Sequence, residues 1–362
     1  MVRIRPLSEQ DVPGVVALFE QVYPQHRWPS RAACEQYFRE VFFLSPWRHL
    51  ELPSWVAEQR GDITGFAGVV PRHMSFAGRP LKVAVGTQFM VHPAARHSLI
   101  ALQLVRALMS GPHDMFLTDG SNDQAQRLWV GTGGAVPILP NLDWTRLLRP
   151  ARYVLSLLDK AARRRPLLQA ARAPCVLVDA VAARLHPNRF AGSDDGLSDE
   201  PLDAQRMLAH MPEMAARNGT LRPLFDQRSL SWLLEQAALK VRHGRLRARA
   251  VFEGETLLGW FIYYASPGVV NEVLQITARP DSYERVLQRL LVDAWRQGAT
   301  AVRGRLDPHH VRELSDRHCW FRREGAWTLV HSRHDDILAA IERGAAGFSR
   351  LDGEWWLRFI GG

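Results

Sequence analysis

Residues 81–134, LKVAVGTQFMVHPAARHSLIALQLVRALMSGPHDMFLTDGSNDQAQRLWVGTGG, decide how this chain is read. Val83, Val85, Met90 and Val91 predict a strand that ends in a sharp turn at Pro93. A helix is expected over 99–110, a short strand over 115–118 and a second helix from Asn122. A strand that feeds directly into a helix start presents unpaired N–H groups, which makes it a ready anion site.

Upstream, residues 2–6 alternate as a first strand, and Ser8 is placed to cap a helix starting near Glu9. Val12, Val15, Val16, Leu18, Phe19 and Val22 follow at helical spacing, and a second helix is expected over 31–42. Strands at 55–59 and 63–71 form a hairpin about Gly61. The order is strand, two helices, three strands, helix, strand, helix.

Two motifs in the opening stretch carry a resemblance. Arg96-His97-Ser98-Leu99-Ile100-Ala101 fits the ends of a loop of pattern Gln/Arg-x-x-Gly-x-Gly/Ala, with Leu99 where the first glycine is expected. Asn122, Ala125 and Leu128 fit Asn-x-x-Ala-x-x-Leu-Tyr, with Trp129 in the tyrosine's place. With the element order, these residues resemble the Gcn5-related acetyltransferase family over residues 1–140. The resemblance implies an acyl-coenzyme A co-substrate, most simply acetyl-coenzyme A. It places Met90, Val91, Arg96, His97, Ser98, Leu99, Ile100, Ala101, Asn122, Ala125 and Trp129 against that co-substrate.

Direct acyl transfer needs a polarised thioester carbonyl, a deprotonated acceptor and a proton for the leaving thiolate. Backbone amides at 89–91 would serve the first need. His92 and Asp119, at the ends of neighbouring strands, are the nearest candidate bases, against readings as a surface histidine and a helix-capping aspartate. Trp129 cannot protonate a thiolate as a phenol can, so another group or water must.

The rest of the chain bounds the answer. At 362 residues and 46% hydrophobic, it can bury more than one domain's core. The net charge is +9, and residues 145–190 carry ten Arg or Lys against only Asp159 and Asp179. Residues 141–195 have helical periodicity with interleaved arginines, read as a connector packed on its neighbours, a lid, or a contact for a membrane surface or nucleic acid. Residues 191–202 read as an acidic loop.

The second half repeats the first. A helical segment over 221–239 precedes a hairpin of 247–252 and 257–264, a strand at 269–277, a helix at 282–297 and a strand at 301–306. A strand-like run over 320–331 and a helix over 335–342 complete it. Residues 278–283 carry no Gly-x-Gly, and no Asn-x-x-Ala motif follows. The expected fold is α/β (α+β): two tandem mixed-sheet domains flanked by helices, at 1–140 and 201–362, joined by a basic helical connector at 141–200. Tandem members of the family use such a degenerate copy to shape the acceptor pocket or hold the first domain.

Near the end, Trp355 and Trp356 are expected on opposite faces of a strand, while Asp352 and Glu354 form either a base or amine site or a solvated turn. The terminal carboxylate at Gly362 is a further candidate. Cys34, Cys175 and Cys319 are too scattered for a disulfide framework or a zinc ribbon, and His309, His310 and His318 have no paired thiols nearby, so no metal is expected.

Arg3 and Arg5 are not followed by an apolar core, so no signal peptide is expected, and a cytoplasmic, bacterial protein is the default. The reading is an acyltransferase acting on an amine or hydroxyl of a small or sugar-linked acceptor, with no transmembrane segment and nucleic acid not expected. Its rivals are an aminoacyl-tRNA-dependent transferase of the peptidoglycan-bridge type and a non-catalytic binding protein.

Overall fold

The computed structural model describes residues 2–26, 28–96, 98–161, 172–185, 196–214 and 221–359. The first half supplies β1 (Val2–Pro6), β2 (Trp55–Gln59), β3 (Asp62–Phe76), β4 (Arg79–Val91) and β5 (Met115–Ser121). Helices α1 (Val12–Val22) and α2 (Arg31–Phe42) lie between β1 and β2, α3 (Ile100–Met109) joins β4 to β5, and α4 (Asp123–Gly131) follows. Then come β6 (Asp143–Leu147), α5 (Pro150–Ala161), α6 (Arg172–Leu185), β7 (Leu197–Pro201), α7 (Ala204–Met214), β8 (Leu221–Pro223) and α8 (Gln227–Ala238). The remainder is β9 (Arg245–Glu253), β10 (Thr256–Ala265), β11 (Val270–Ala278), α9 (Tyr283–Arg296), β12 (Ala301–Arg305), α10 (Val311–Asp316), β13 (Trp320–Arg322), β14 (Trp327–Ser332) and α11 (Asp335–Glu342).

Local chemistry sets the starts of several helices. Ser30 accepts the Ala33 N–H to cap α2, Asn122 accepts the Ala125 N–H to cap α4, and Asp226 with Ser229 forms a capping box for α8.

These strands build two mixed sheets. One runs β1-β2-β3-β4-β5-β14, with β8 also paired to β3; the other runs β13-β6-β12-β11-β10-β9-β7. Among the described strands, only β4 with β5 and β11 with β12 are parallel. Each parallel pair is joined by a helix, α3 or α9, as a parallel crossover requires. The second sheet therefore repeats the first.

The sheets also exchange strands. β6 follows the first half in sequence yet pairs antiparallel with β12, while β14, from the second half, pairs antiparallel with β5. Sheet membership thus crosses the boundaries expected at 140 and 201. The expected strand at 320–331 is two strands in different sheets, broken by a turn in which Gly325 adopts φ +71. The helical reading of 141–195 misses β6, and the expected loop at 191–202 contains β7 on the sheet edge.

Within the basic segment, α5 and α6 are tied by Asp179, which accepts the Ala151 N–H at 2.9 Å and pairs with Arg152 at 3.0 Å. Val154, Leu157 and Leu158 on α5 and Val176, Leu177 and Val178 on α6 are exposed, so these apolar side chains do not pack on the sheets. Arg163, Arg164, Arg165 and Arg189 lie outside the described residues. Among the described residues no helix is long and apolar enough to cross a membrane. The three cysteines are free thiols.

Residues 348–359 are turns rather than the expected strand. They thread through the centre of the molecule. Arg350 pairs with Asp143 of β6 at 2.9 Å and with Glu272 of β11, while the Leu351 carbonyl accepts from Arg72 of β3 at 2.6 Å. Trp356 and Leu357 are fully buried, and Phe359 packs among Phe19, Tyr37, Phe38 and Phe42. One core thus joins α1, α2, α8, both sheets and this segment.

A chain ended after Pro140 should lose the strand beside β5 and the segment that fills its core. It is expected to lack a cooperative thermal transition and to bind a hydrophobic dye; a sharp, reversible melt of that fragment would show that the first sheet stands alone.

Candidate active site

β4 and β5 stay paired only from Val83↔Met115 to Val85↔Leu117, after which they part. Two local features force the separation. The ring of Phe116 presses on Gly86 so closely that any Cβ there would lie 2.2 Å from it. Two residues on, Gln88 adopts φ +49, and the register of β4 on β3 slips between Phe66 and Gly68. The extra residue bends β4 away from β5, as a bulge does. Beyond it β4 follows β3 and β5 follows β14.

The gap is a cleft of about 790 Å³. Phe89, Val91, Ala101, Phe116 and Trp129 form its apolar walls, and Arg96, Gln124 and Asn122 lie along its polar side. Tyr23, at the end of α1, lines it too. Gln88 is 6% exposed, and its Oε1 has no hydrogen-bond partner among the described residues.

Glu354 enters the cleft from the threaded segment. Its Oε1 accepts from the Thr118 hydroxyl at 2.6 Å and from the Gly120 N–H at 2.8 Å, and a Cβ on Gly120 would lie 2.7 Å from that oxygen. Burial, and then the neighbouring Asp119 charge, hold the Glu354 carboxyl above the ordinary carboxylate range. Such a carboxyl is poised to take a proton near neutrality.

The residues expected from the sequence divide into three groups. Val91, Arg96, Ala101, Asn122, Ala125 and Trp129 come together in the cleft. Met90 points the other way into the core, Ile100 is buried against Gly65, and Ser98 and Leu99 are exposed, Leu99 by 68%. His97 lies outside the described residues, as does Gly362. The third group is the expected bases. The His92 ring accepts the Ala94 N–H at 3.2 Å, capping a short turn outside the cleft. Asp119 is buried behind it, where its two oxygens take the Glu354 N–H at 2.8 Å and the Arg305 guanidinium at 2.7 Å.

Asp119 is therefore a support: it fixes the backbone that carries Glu354. Gly353 allows this approach, because a Cβ there would meet Asp119 Oδ1 at 2.3 Å. Trp129 donates its indole N–H to the Val330 carbonyl at 3.2 Å and packs on Phe116, so it ties α4 to β14. Gln88, Thr118 and Gly120 went unread in the sequence, since a bulge and contacts across 236 and 234 residues leave no local pattern. No group of His, Cys, Asp or Glu among the described residues is arranged to hold a metal.

Residues 3–117 match the family model of the acetyltransferase (GNAT) domain. The whole fold is similar to a GCN5-related N-acetyltransferase from Anabaena variabilis, with TM-score 0.58 and 10% identity over 91% of this chain and 72% of that one. It is similar also to a GCN5-related N-acetyltransferase from Kribbella flavida, with TM-score 0.57 and 12% identity over 96% of this chain and 74% of that one. A conserved protein of unknown function from Enterococcus faecalis gives TM-score 0.57 and 9% identity over 92% and 73%. At these identities the likeness is one of fold. No curated protein matches the sequence.

Asp119→Ala removes the partner of a guanidinium whose side chain is only 6% exposed. It is expected to cost about 3–5 kcal/mol in urea unfolding, the usual penalty for stranding one member of a buried pair. A change in turnover at unaltered stability would instead make Asp119 a participant in the reaction.

Proposed function

We propose that the chain transfers an acyl group, most simply acetyl, from acyl-coenzyme A to an amine or hydroxyl of a small or sugar-linked acceptor. The observation that carries this is the open wedge between β4 and β5, lined by a buried carboxyl and by Arg96, four residues ahead of α3. The wedge suits a long, thin co-substrate. The apolar walls fit an alkyl arm, the buried Gln88 oxygen is a free acceptor for an amide N–H, and Arg96 with the first amides of α3 fits a pyrophosphate. Bound acyl-coenzyme A supplies the activated thioester.

The chain's own groups do the rest. Backbone N–H groups at 89–91, beside the bulge, stabilise the oxyanion in this proposal. Glu354 takes the acceptor's proton, with Thr118 and the Gly120 amide fixing its Oε1. Tyr23 supplies the phenol that position 129 lacks and returns a proton to the leaving thiolate; burial and the Glu354 charge raise its pKa, so it stays protonated at neutral pH. The first sheet is the transfer unit in this proposal, and the second sheet supports it.

Acetyl-coenzyme A should raise the melting temperature, and Arg96→Glu should abolish that shift; no shift with acetyl- or long-chain acyl-coenzyme A would sink the reading. Glu354→Gln should keep the shift but lower kcat by about 10²–10⁴. In the wild type, activity should rise with pH through a midpoint displaced above 4.5, because the base works deprotonated and its folded-state carboxyl is raised. A profile flat across that range, or full activity in Glu354→Gln, would remove Glu354 from the mechanism.

A further inference from the structure

The second sheet opens a wedge of its own. β11 and β12 pair only from Val270↔Ala301 to Glu272↔Arg303, and past that point they part, as β4 and β5 do. Here the wedge is largely filled. Trp144 from the exchanged β6 packs on Gly304, where a Cβ would lie 2.9 Å from its ring, and Tyr283 at the start of α9 stacks on His310 at 3.5 Å. What remains is a cavity of about 140 Å³, bounded by Met211, Trp260, Ile276, Phe348 and the polar groups described next.

Two charged side chains face this cavity with hydrogen-bonding capacity unspent. Asp352 is 4% exposed; its Oδ2 takes the Ser349 N–H at 2.8 Å and hydroxyl at 2.7 Å, whereas Oδ1 has no partner among the described residues. Arg305 is 6% exposed at its side chain; Nη2 holds Asp119, whereas Nη1 has no partner among the described residues. A buried acceptor and a buried donor left unmade cost about 1–3 kcal/mol each. Asp307 and Arg222 lie on the same wall, Asp307 already engaged by His309.

We propose that this cavity binds a small α-amino acid with an apolar side chain, its ammonium on Asp352 and its carboxylate on Arg305. A zwitterion satisfies both unspent groups at once without changing the net charge of the interior. At about 140 Å³ the space has room for several waters and so for a small ligand in their place. The side chain of such a ligand meets Trp260, Ile276 and Phe348. The site is distinct from the transfer cleft yet joined to it, because Arg305 also holds Asp119, which holds the Glu354 N–H.

Calorimetric titration of the full chain with L-alanine, L-valine and L-leucine tests this. At least one should bind with Kd below about 1 mM. L-Valinamide, which lacks the carboxylate, and isovalerate, which lacks the ammonium, should bind at least about tenfold more weakly than L-valine. Asp352→Asn keeps the shape of the side chain and should weaken binding by a similar factor. Met211→Trp, made on a half-buried wall residue away from the charged pair, should fill the cavity and abolish binding whether or not Asp352→Asn folds. Absence of heat with all three amino acids, equal binding of the amide or the acid, or undiminished binding to Met211→Trp would overturn the proposal. A parallel titration with acetyl-coenzyme A keeps the two readings apart, since either ligand can bind while the other does not.

Discussion

Arg350 sits 2% exposed in a segment without regular secondary structure, and its guanidinium is shared between Glu272 of β11 and Asp143 of β6. A charge at that depth is tolerated only with its partners in place, because desolvation of a guanidinium outweighs any single contact. The requirement reaches far. Asp143 is available only because β6 has crossed into the second sheet, and Glu272 is held as a charged carboxylate, against the effect of burial, by Arg350 and Arg303. Fixing Arg350 fixes the turn that follows, and Glu354 on that turn reaches the cleft of the first sheet. The strand exchange and the position of the carboxyl in the cleft are thus one constraint seen from two ends.

Short-range patterns were legible where a single face is buried. The helix over 31–42 and the hairpin about Gly61 follow from spacing and turn chemistry, and they stand where they were expected. The asparagine at 122 caps α4 as its residue type suggests. What the sequence does not display is partnership across long separations. Trp320–Arg322 and Trp327–Ser332 read as one strand because both are apolar and β-prone; which sheet receives each depends on edges completed elsewhere. The periodicity at 141–195 is helical on average, so five residues of β6 vanish within it.

The acids show the same limit. Asp119 and Glu354 are equally plausible bases by residue type, and only geometry separates them. Asp119 spends its oxygens on Arg305 and a backbone N–H, whereas Glu354 stands in the cleft with its proton affinity raised. Glu354 was visible as one of two acids on a turn, but its 236-residue separation from Thr118 left no sign of where that turn would land.

The duplicated wedge explains how two similar sheets come to differ. In the first, Gly86 and the bulge at Gln88 spread β4 from β5, and α3 starts at the rim with Arg96 and Ala101 facing the gap. In the second, β11 parts from β12 in the same place, but Trp144 and the stacked Tyr283 and His310 occupy the space where a phosphate-bearing arm would run. Tyr283 is the first residue of its helix and fully enclosed, so the amides there are screened from anions by an aromatic ring. A single exchanged strand brings in Trp144 and narrows the second wedge while completing the sheet that supports the first. With Tyr283 enclosed at the start of α9, residues 278–283 present no exposed helix-start amides, and they carry no Gly-x-Gly.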